Sequence, residues 1–159
     1  MQIRGYREND LCAVKQIVSS LHPKWFDDGA VKNIPFDINF QKTYLAEVDG
    51  EVAGFICIRS QDGKPFIGWL GVDIHDHRSG IGRALVLHVE NLLIAVGATS
   101  LRVETVVEQE PLDGSYDLTV KFYKSCGFVL EHVGEPKTAD GFIFSMGTMV
   151  KLLGNGSAL

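Results

Sequence analysis

The sequence predicts a single α+β domain built on a mostly antiparallel sheet. Two strand-like runs flank Asp49-Gly50, a strong hairpin signal, and a third run follows, so the middle of the chain reads as an antiparallel meander. A strand, a helix and another strand come next. That order makes a crossover unit whose two strands lie parallel. No repeat, linker or low-complexity stretch interrupts the 159 residues, a length that suits one domain with one good core.

The elements follow in order. Residues 1–6, MQIRGY, form a short first strand. In NDLCAVKQIVSSL the residues Leu11, Val14, Val18 and Leu21 share one helical face, with Asn9 or Glu8 as the cap. His22-Pro23 ends this helix, because proline disfavours the helical conformation of the residue before it. Residues 22–42 are irregular, with a short helix near 26–33. The meander strands are 43–48, 51–60 and 65–73. A helix over about 80–96 presents Ile81, Leu85, Val89, Leu92 and Val96, and Gly97 closes it. SLRVETVV, residues 100–107, alternates and is rich in β-formers. YDLTVKFYKSC is helical, with Leu118, Phe122 and Cys126 on one face. FVLEHVG and FIFSMGTMVKLL are two last strands, and a mobile tail follows them.

Composition narrows the function classes. Apolar residues make up 45% and charged residues 22%, as in ordinary globular proteins. No apolar run reaches the roughly 18 residues that span a membrane, and the charged MQIRGYREND is no signal peptide. The expectation is a cytoplasmic protein with no membrane partner. The net charge of -5 argues against nucleic acid, which needs a basic face. Cys12, Cys57 and Cys126 fit neither a zinc site nor a disulfide framework, and His77 and His88 lack ligand partners at sensible spacing, so no metal is assigned.

One stretch carries chemistry. HDHRSGIGRAL, residues 75–85, sits between the strand FIGWLGV and a helix. Gly80 and Gly82 let the chain turn tightly into that helix. The first amides of a helix have no internal partner, and the helix dipole adds positive character there. Together they make a site for phosphate, with Arg78 and Arg83 adding charge. The three-glycine dinucleotide pattern and the Gly-Lys-Ser/Thr of nucleotide-triphosphate loops are both missing. A glycine turn used only for packing is the rival reading.

About forty residues on comes VKFYKSCGFVLEHV. The two segments together resemble the GNAT family of N-acetyltransferases. That family's acetyl-CoA motif is Arg/Gln-x-x-Gly-x-Gly/Ala, and its later helix ends in Phe/Leu-Tyr-x-x-x-Gly-Phe, here Phe122 to Phe128. One position departs from the pattern: His77 stands where arginine or glutamine is usual, and Arg78 is displaced by one. The resemblance spans about residues 1–152 and implies a GNAT-like fold. That fold is a central mixed, mostly antiparallel sheet of about seven strands with about four helices, followed by a tail over 153–159.

The resemblance also implies acetyl-CoA as donor and direct attack of a primary amine on its thioester. In the family the backbone N–H groups of the strand before the glycine turn, here Leu70, Gly71 and Val72, stabilise the oxyanion. The pyrophosphate lies on His77, Arg78, Ser79, Gly80, Ile81, Gly82 and Arg83. Tyr123 matches the tyrosine that gives a proton to the departing thiolate; packing on its helix is the alternative. An amine with a pKa of roughly 10 must first lose a proton. Glu104 is the first candidate base, with Asp73 and His75 second, against the reading of each as a solvated charge. Trp25, Phe26 and Phe36 are candidates to line the acceptor site, or else to cover the core, and the loop at 134–141 joins them. A homodimer is a common form in the family. A non-catalytic acyl-CoA-binding sensor on the same fold is the alternative function, and a partner-binding module using the 22–40 aromatics is a third.

Overall fold

The computed structural model describes residues 1–112, 114–139 and 141–154. The strands are β1 (Gln2–Gly5), β2 (Lys42–Val48), β3 (Glu51–Gln61), β4 (Lys64–Val72), β5 (Ser100–Glu110), β6 (Val129–Val133), β7 (Lys137–Ala139) and β8 (Phe142–Leu152). The helices are α1 (Leu11–Leu21), α2 (Asp28–Asp37), α3 (Ile81–Ala95) and α4 (Gly114–Ser125). They form one mixed sheet of eight strands in the order β1-β2-β3-β4-β5-β8-β6, with β7 also on β8. Among the described strands only β4 and β5 run parallel, joined by the α3 crossover as the sequence predicts.

Two cores lie on opposite faces of the sheet. On one face α1 and α2 bury Val14, Ile17, Val18, Leu21 and Ile34 against Leu45, Phe55 and Cys57. On the other, α3 and α4 bury Leu85, Val89 and Tyr123 against Ile56, Ile67, Leu101, Val103 and Met149. Alternation along each strand divides its residues between these faces.

Several expectations need correction. Neither Asn9 nor Glu8 caps α1. Both belong to a short 3₁₀ turn, Glu8–Asp10, whose Asp10 carboxylate accepts the Arg7 N–H at 2.8 Å and is gripped by two Arg4 nitrogens, each at 2.8 Å. The second helix starts later and runs further than 26–33, because Asp27 caps it by accepting the Ala30 N–H at 2.8 Å. Leu92 and Val96 are not on the core face of α3, being 39% and 79% exposed. The buried stripe is Ile81, Leu85, Val86, Val89 and Glu90, and the helical pitch carries it on to Leu93. Leu118 is likewise exposed on α4, and Tyr123 takes the buried place. The connection after β6 contains the three-residue β7, too short to signal itself by alternation. Leu153 does not begin a tail. It is buried, and its N–H donates to the Thr99 carbonyl at 2.9 Å. The rest of the expected tail, residues 155–159, lies outside the described residues.

Candidate active site

The site starts where β4 and β5 part. Their registered pairs are Phe66 with Arg102 and Ile67 with Val103, yet β4 runs on to Val72 and β5 to Glu110. Past the last pair, the edge of β4 that faced β5 has no strand partner among the described residues, so the main-chain groups of Leu70 and Val72 lie along an open fork, while those of Gly71 between them face β3. Gly71 is fixed by packing, since a Cβ there would sit 2.7 Å from the Phe55 ring.

β4 leads through a short 3₁₀ turn, Ile74–Asp76, into the glycine turn. Arg78 and Gly80 both take left-handed backbone angles, φ 65° and 86°. The Ser79 hydroxyl donates to the Asp76 carbonyl. Gly80 stands at the N-cap of α3, where no side chain caps the helix, and the first helical bond runs from the Ala84 N–H to its carbonyl at 3.0 Å. The amides ahead of Ala84 therefore have no partner within the helix. Gly82 meets a different demand: a Cβ there would come within 3.1 Å of the Phe122 ring. An open strand edge running into an uncapped 15-residue helix offers a phosphate group a row of N–H donors, so these residues fit the pyrophosphate of a coenzyme A thioester.

His77 turns back on β4. Its Nε2 lies 2.8 Å from the Val72 carbonyl, which can only accept, so Nε2 carries the hydrogen. The Trp25 ring meets the His77 ring edge-on at 5.5 Å. The Trp25 indole N–H is buried and has no partner among the described residues. Arg83 is engaged elsewhere: its guanidinium donates to the carbonyl and hydroxyl of Ser125 at 3.0 and 2.9 Å, tying α3 to the end of α4.

Tyr123 is 5% exposed, packed edge-on against Phe122 and Phe128. Its hydroxyl hydrogen-bonds to no other described residue. Burial pushes its pKa well above the ordinary tyrosine value, with a smaller contribution from neighbouring Cys126, so the phenol keeps its proton.

Glu104 is the first β5 residue beyond the last pair with β4. Leu101 and Val103 face the α3–α4 core, so Glu104 points to the opposite face. There its carboxylate lies 3.7 Å from the Arg59 guanidinium. It borders a small cleft with Phe66, Arg102, His132 and Thr148. Asp73 and His75, the second candidates, stand apart from the fork. The Asp73 carboxylate accepts the His75 N–H at 2.9 Å, and both line a separate cleft against α1 and the β2–β3 turn. Trp25 and Phe26 pack beside the α1–α2 core, and Phe26 meets Trp69 edge-on at 5.9 Å. Phe36 does not join them; it is 64% exposed and stacks on Phe40.

The sequence model of the acetyltransferase (GNAT) family matches residues 11–128. The chain belongs to this family. Membership makes it an N-acetyltransferase with acetyl-CoA as donor. Solved structures agree on the fold. This GNAT acetyltransferase is 21% identical to a GNAT-family protein from Desulfovibrio desulfuricans, with a TM-score of 0.80 over 95% of this chain and 98% of that one. It is 21% identical to the ribosomal-protein-S18-alanine N-acetyltransferase of Escherichia coli, with a TM-score of 0.74 over 97% and 94%. An aminoglycoside 6'-N-acetyltransferase complexed with coenzyme A is 18% identical, with a TM-score of 0.74 over 96% and 97%. No curated protein matches the sequence. No described helix is long and apolar enough to cross a membrane.

Sequence reasoning missed three residues of this acetyltransferase beside the fork. Asp37, near the end of α2, accepts the Trp69 indole N–H at 2.8 Å. Gln41 lays its amide on Gly68. Arg59 is the partner of Glu104. None belongs to a local motif. The one signal in the chain is the pair Gly68-Trp69, a glycine inside an otherwise strand-like run, which marks a bulge or a close approach.

Proposed function

We propose that this acetyltransferase moves the acetyl group directly to a primary amine, with the acceptor entering from the face that carries Glu104. The observation that carries this reading is the open fork between β4 and β5. It adjoins the uncapped start of α3 and holds the Glu104 carboxylate, 3.7 Å from the Arg59 guanidinium, at its apex. Acetyl-CoA supplies the activated acyl group when bound. The main-chain N–H groups from Arg78 to Arg83 hold its pyrophosphate, and those of Leu70 and Val72 face the charge that develops on the acyl oxygen, the Gly71 N–H pointing to β3. Glu104, directly or through water, takes a proton from the acceptor ammonium, and the freed amine forms the new C–N bond, its second proton passing to solvent as the tetrahedral intermediate collapses to the amide. Tyr123 gives its proton to the sulfur as the C–S bond breaks, and solvent restores it. A phenol that stays protonated through the physiological range suits a proton donor better than a base. The aromatic side chains of Trp25 and Phe26 form the apolar wall of the acceptor side.

The test has two stages. Acetyl-CoA should raise the melting temperature of the purified protein. Release of free thiol from acetyl-CoA should then depend on an added amine, across a panel of amino-acid amides, peptides with free N-termini, polyamines and aminoglycosides. Binding without amine-dependent thiol release on any of them would overturn the transferase reading.

A further inference from the structure

The β3–β4 register shifts between Cys57 and Ile58. Cys57 stands opposite Trp69 and Ile58 opposite Ile67, which leaves Gly68 as an extra residue, a β-bulge. Ile67 packs into the α3–α4 core and Trp69 against the α1–α2 core, so the bulge is where β4 turns its side chains over. It is also the first β4 residue past the last pair with β5.

Gln41 sits on this bulge. A methyl group built on Gly68 would overlap the Gln41 side-chain carbonyl oxygen, and the amide nitrogen would stand further off, at 3.2 Å. The oxygen therefore faces the Gly68 methylene, the orientation a C–H···O contact favours. Its neighbours are fully used. The Gln41 N–H donates to the Asp37 carbonyl at 2.8 Å, the Asp37 carboxylate takes the Trp69 indole, and the Gln41 main-chain carbonyl accepts the Thr43 hydroxyl at 3.1 Å. The side-chain oxygen is shielded from solvent and accepts no N–H or O–H among the described residues. An unmet buried acceptor is unfavourable, and methionine would fill the same space without that cost.

We infer that Gln41 is a specificity-determining residue of the acceptor side, its side-chain oxygen accepting a hydrogen bond from the nitrogen of the incoming amine. The inference rests on the transferase reading above. Glu104 leaves β5 at the same fork, on the face away from the α3–α4 core. The last torsion of a glutamine is broad, so the amide turns toward the fork when a donor arrives. The chemistry then selects the acceptor. After losing one proton to the base, an amine still has an N–H for Gln41, whereas a hydroxyl has none left. A site built around such a bond rejects the analogue that lacks it.

The experiment compares wild-type protein with Gln41→Met. With the amine that wild type acetylates fastest, kcat/KM for the amine should fall tenfold or more. KM for acetyl-CoA should stay within twofold, and the melting temperature should hold or rise. A lower melting temperature would show that the oxygen is satisfied within the fold, and an unchanged amine kcat/KM would show that it meets no substrate; either overturns the inference. A second readout needs no turnover. The Gln41 side-chain amide resonances, assigned by their loss in the variant, are followed in CoA-saturated protein titrated with n-butylamine, L-alaninamide, spermidine and n-butanol. A shift with an amine but not with butanol supports the inference, and no shift with any amine overturns it. If no amine supports thiol release, the transferase reading fails separately while this titration still decides the role of Gln41.

Discussion

At the start of α3 the groups offered to a ligand belong to the main chain. Gly80 and Arg78 in left-handed conformations aim a row of amides, and the side chains around them are occupied: His77 on Val72 and Arg83 on Ser125. At the Gly68 bulge the groups on offer are side chains, with the Gln41 amide laid on Gly68, the Asp37 carboxylate holding the Trp69 indole and Glu104 across the fork. In the proposed reading the first region binds the phosphate-bearing donor, and it depends on backbone shape. In the same reading the second meets the acceptor, and it depends on residues drawn from distant parts of the chain. Shape leaves a local mark on the sequence, and an assembly of distant side chains leaves almost none.

The contrast can be broken most sharply at Gly80. Gly80→Asp puts a carboxylate and a Cβ at φ 86°, where the amides should meet pyrophosphate. Acetyl-CoA should then cause no thermal shift, with the fold retained by circular dichroism. A surviving shift would mean that the donor binds elsewhere. Tyr123→Phe comes next. Turnover should fall about 10²-fold or more, the usual contribution of a positioned proton donor, with acetyl-CoA affinity unchanged. Unchanged turnover would assign the proton to solvent. At the bulge, Gly68→Ala should cost activity through overlap with the Gln41 amide, and adding Gln41→Ala should restore part of it. A double-mutant cycle should show a coupling of about 0.5–3 kcal/mol. Strict additivity would separate the two residues.

The contrast was readable in advance to different depths. Glycine spacing marked the turn, the periodicity of 81–89 the helix behind it, and Phe122 to Phe128 the tyrosine helix, because each is written in consecutive residues. The meander and the crossover were legible for the same reason. The stripe of α3 was misjudged at Leu92 because tertiary contacts, among them the ion pair of Glu90 with Lys151 at 2.7 Å, decide which neighbouring position turns inward. Phe36 looked like a site residue by composition, but α2 turns it outward. Gln41, in the connection between α2 and β2, could not be found at all, since its meaning depends on a glycine of β4.

Two smaller effects sharpen the picture. Burial raises the Cys57 thiol to about 12 from an ordinary 9.0, the Thr43 hydroxyl offsetting part of the rise. The unfolded chain therefore releases this proton first, so stability should fall as pH climbs from about 9 toward 12. The slope approaches about 1.4 kcal/mol per pH unit. Denaturant melts of wild type and Cys57→Ala should show this alkaline slope in the first and less of it in the second. Arg83→Gln should weaken acetyl-CoA by only a few-fold, as an exposed guanidinium already bonded to Ser125 contributes roughly 0.2–1 kcal/mol. A loss of a hundredfold would place its charge on the donor after all.

The 3.1 Å approach of the Phe122 ring to Gly82 carries a consequence for descent. One small residue serves the proposed donor loop on one side and seats the ring next to Tyr123 on the other. The two halves of the signature cannot drift independently. Among homologues, a larger residue at position 82 should travel with a smaller one at 122. A lineage that keeps glycine at 82 while losing the bulky ring would have loosened the tyrosine helix and, with it, the proton for the leaving thiol.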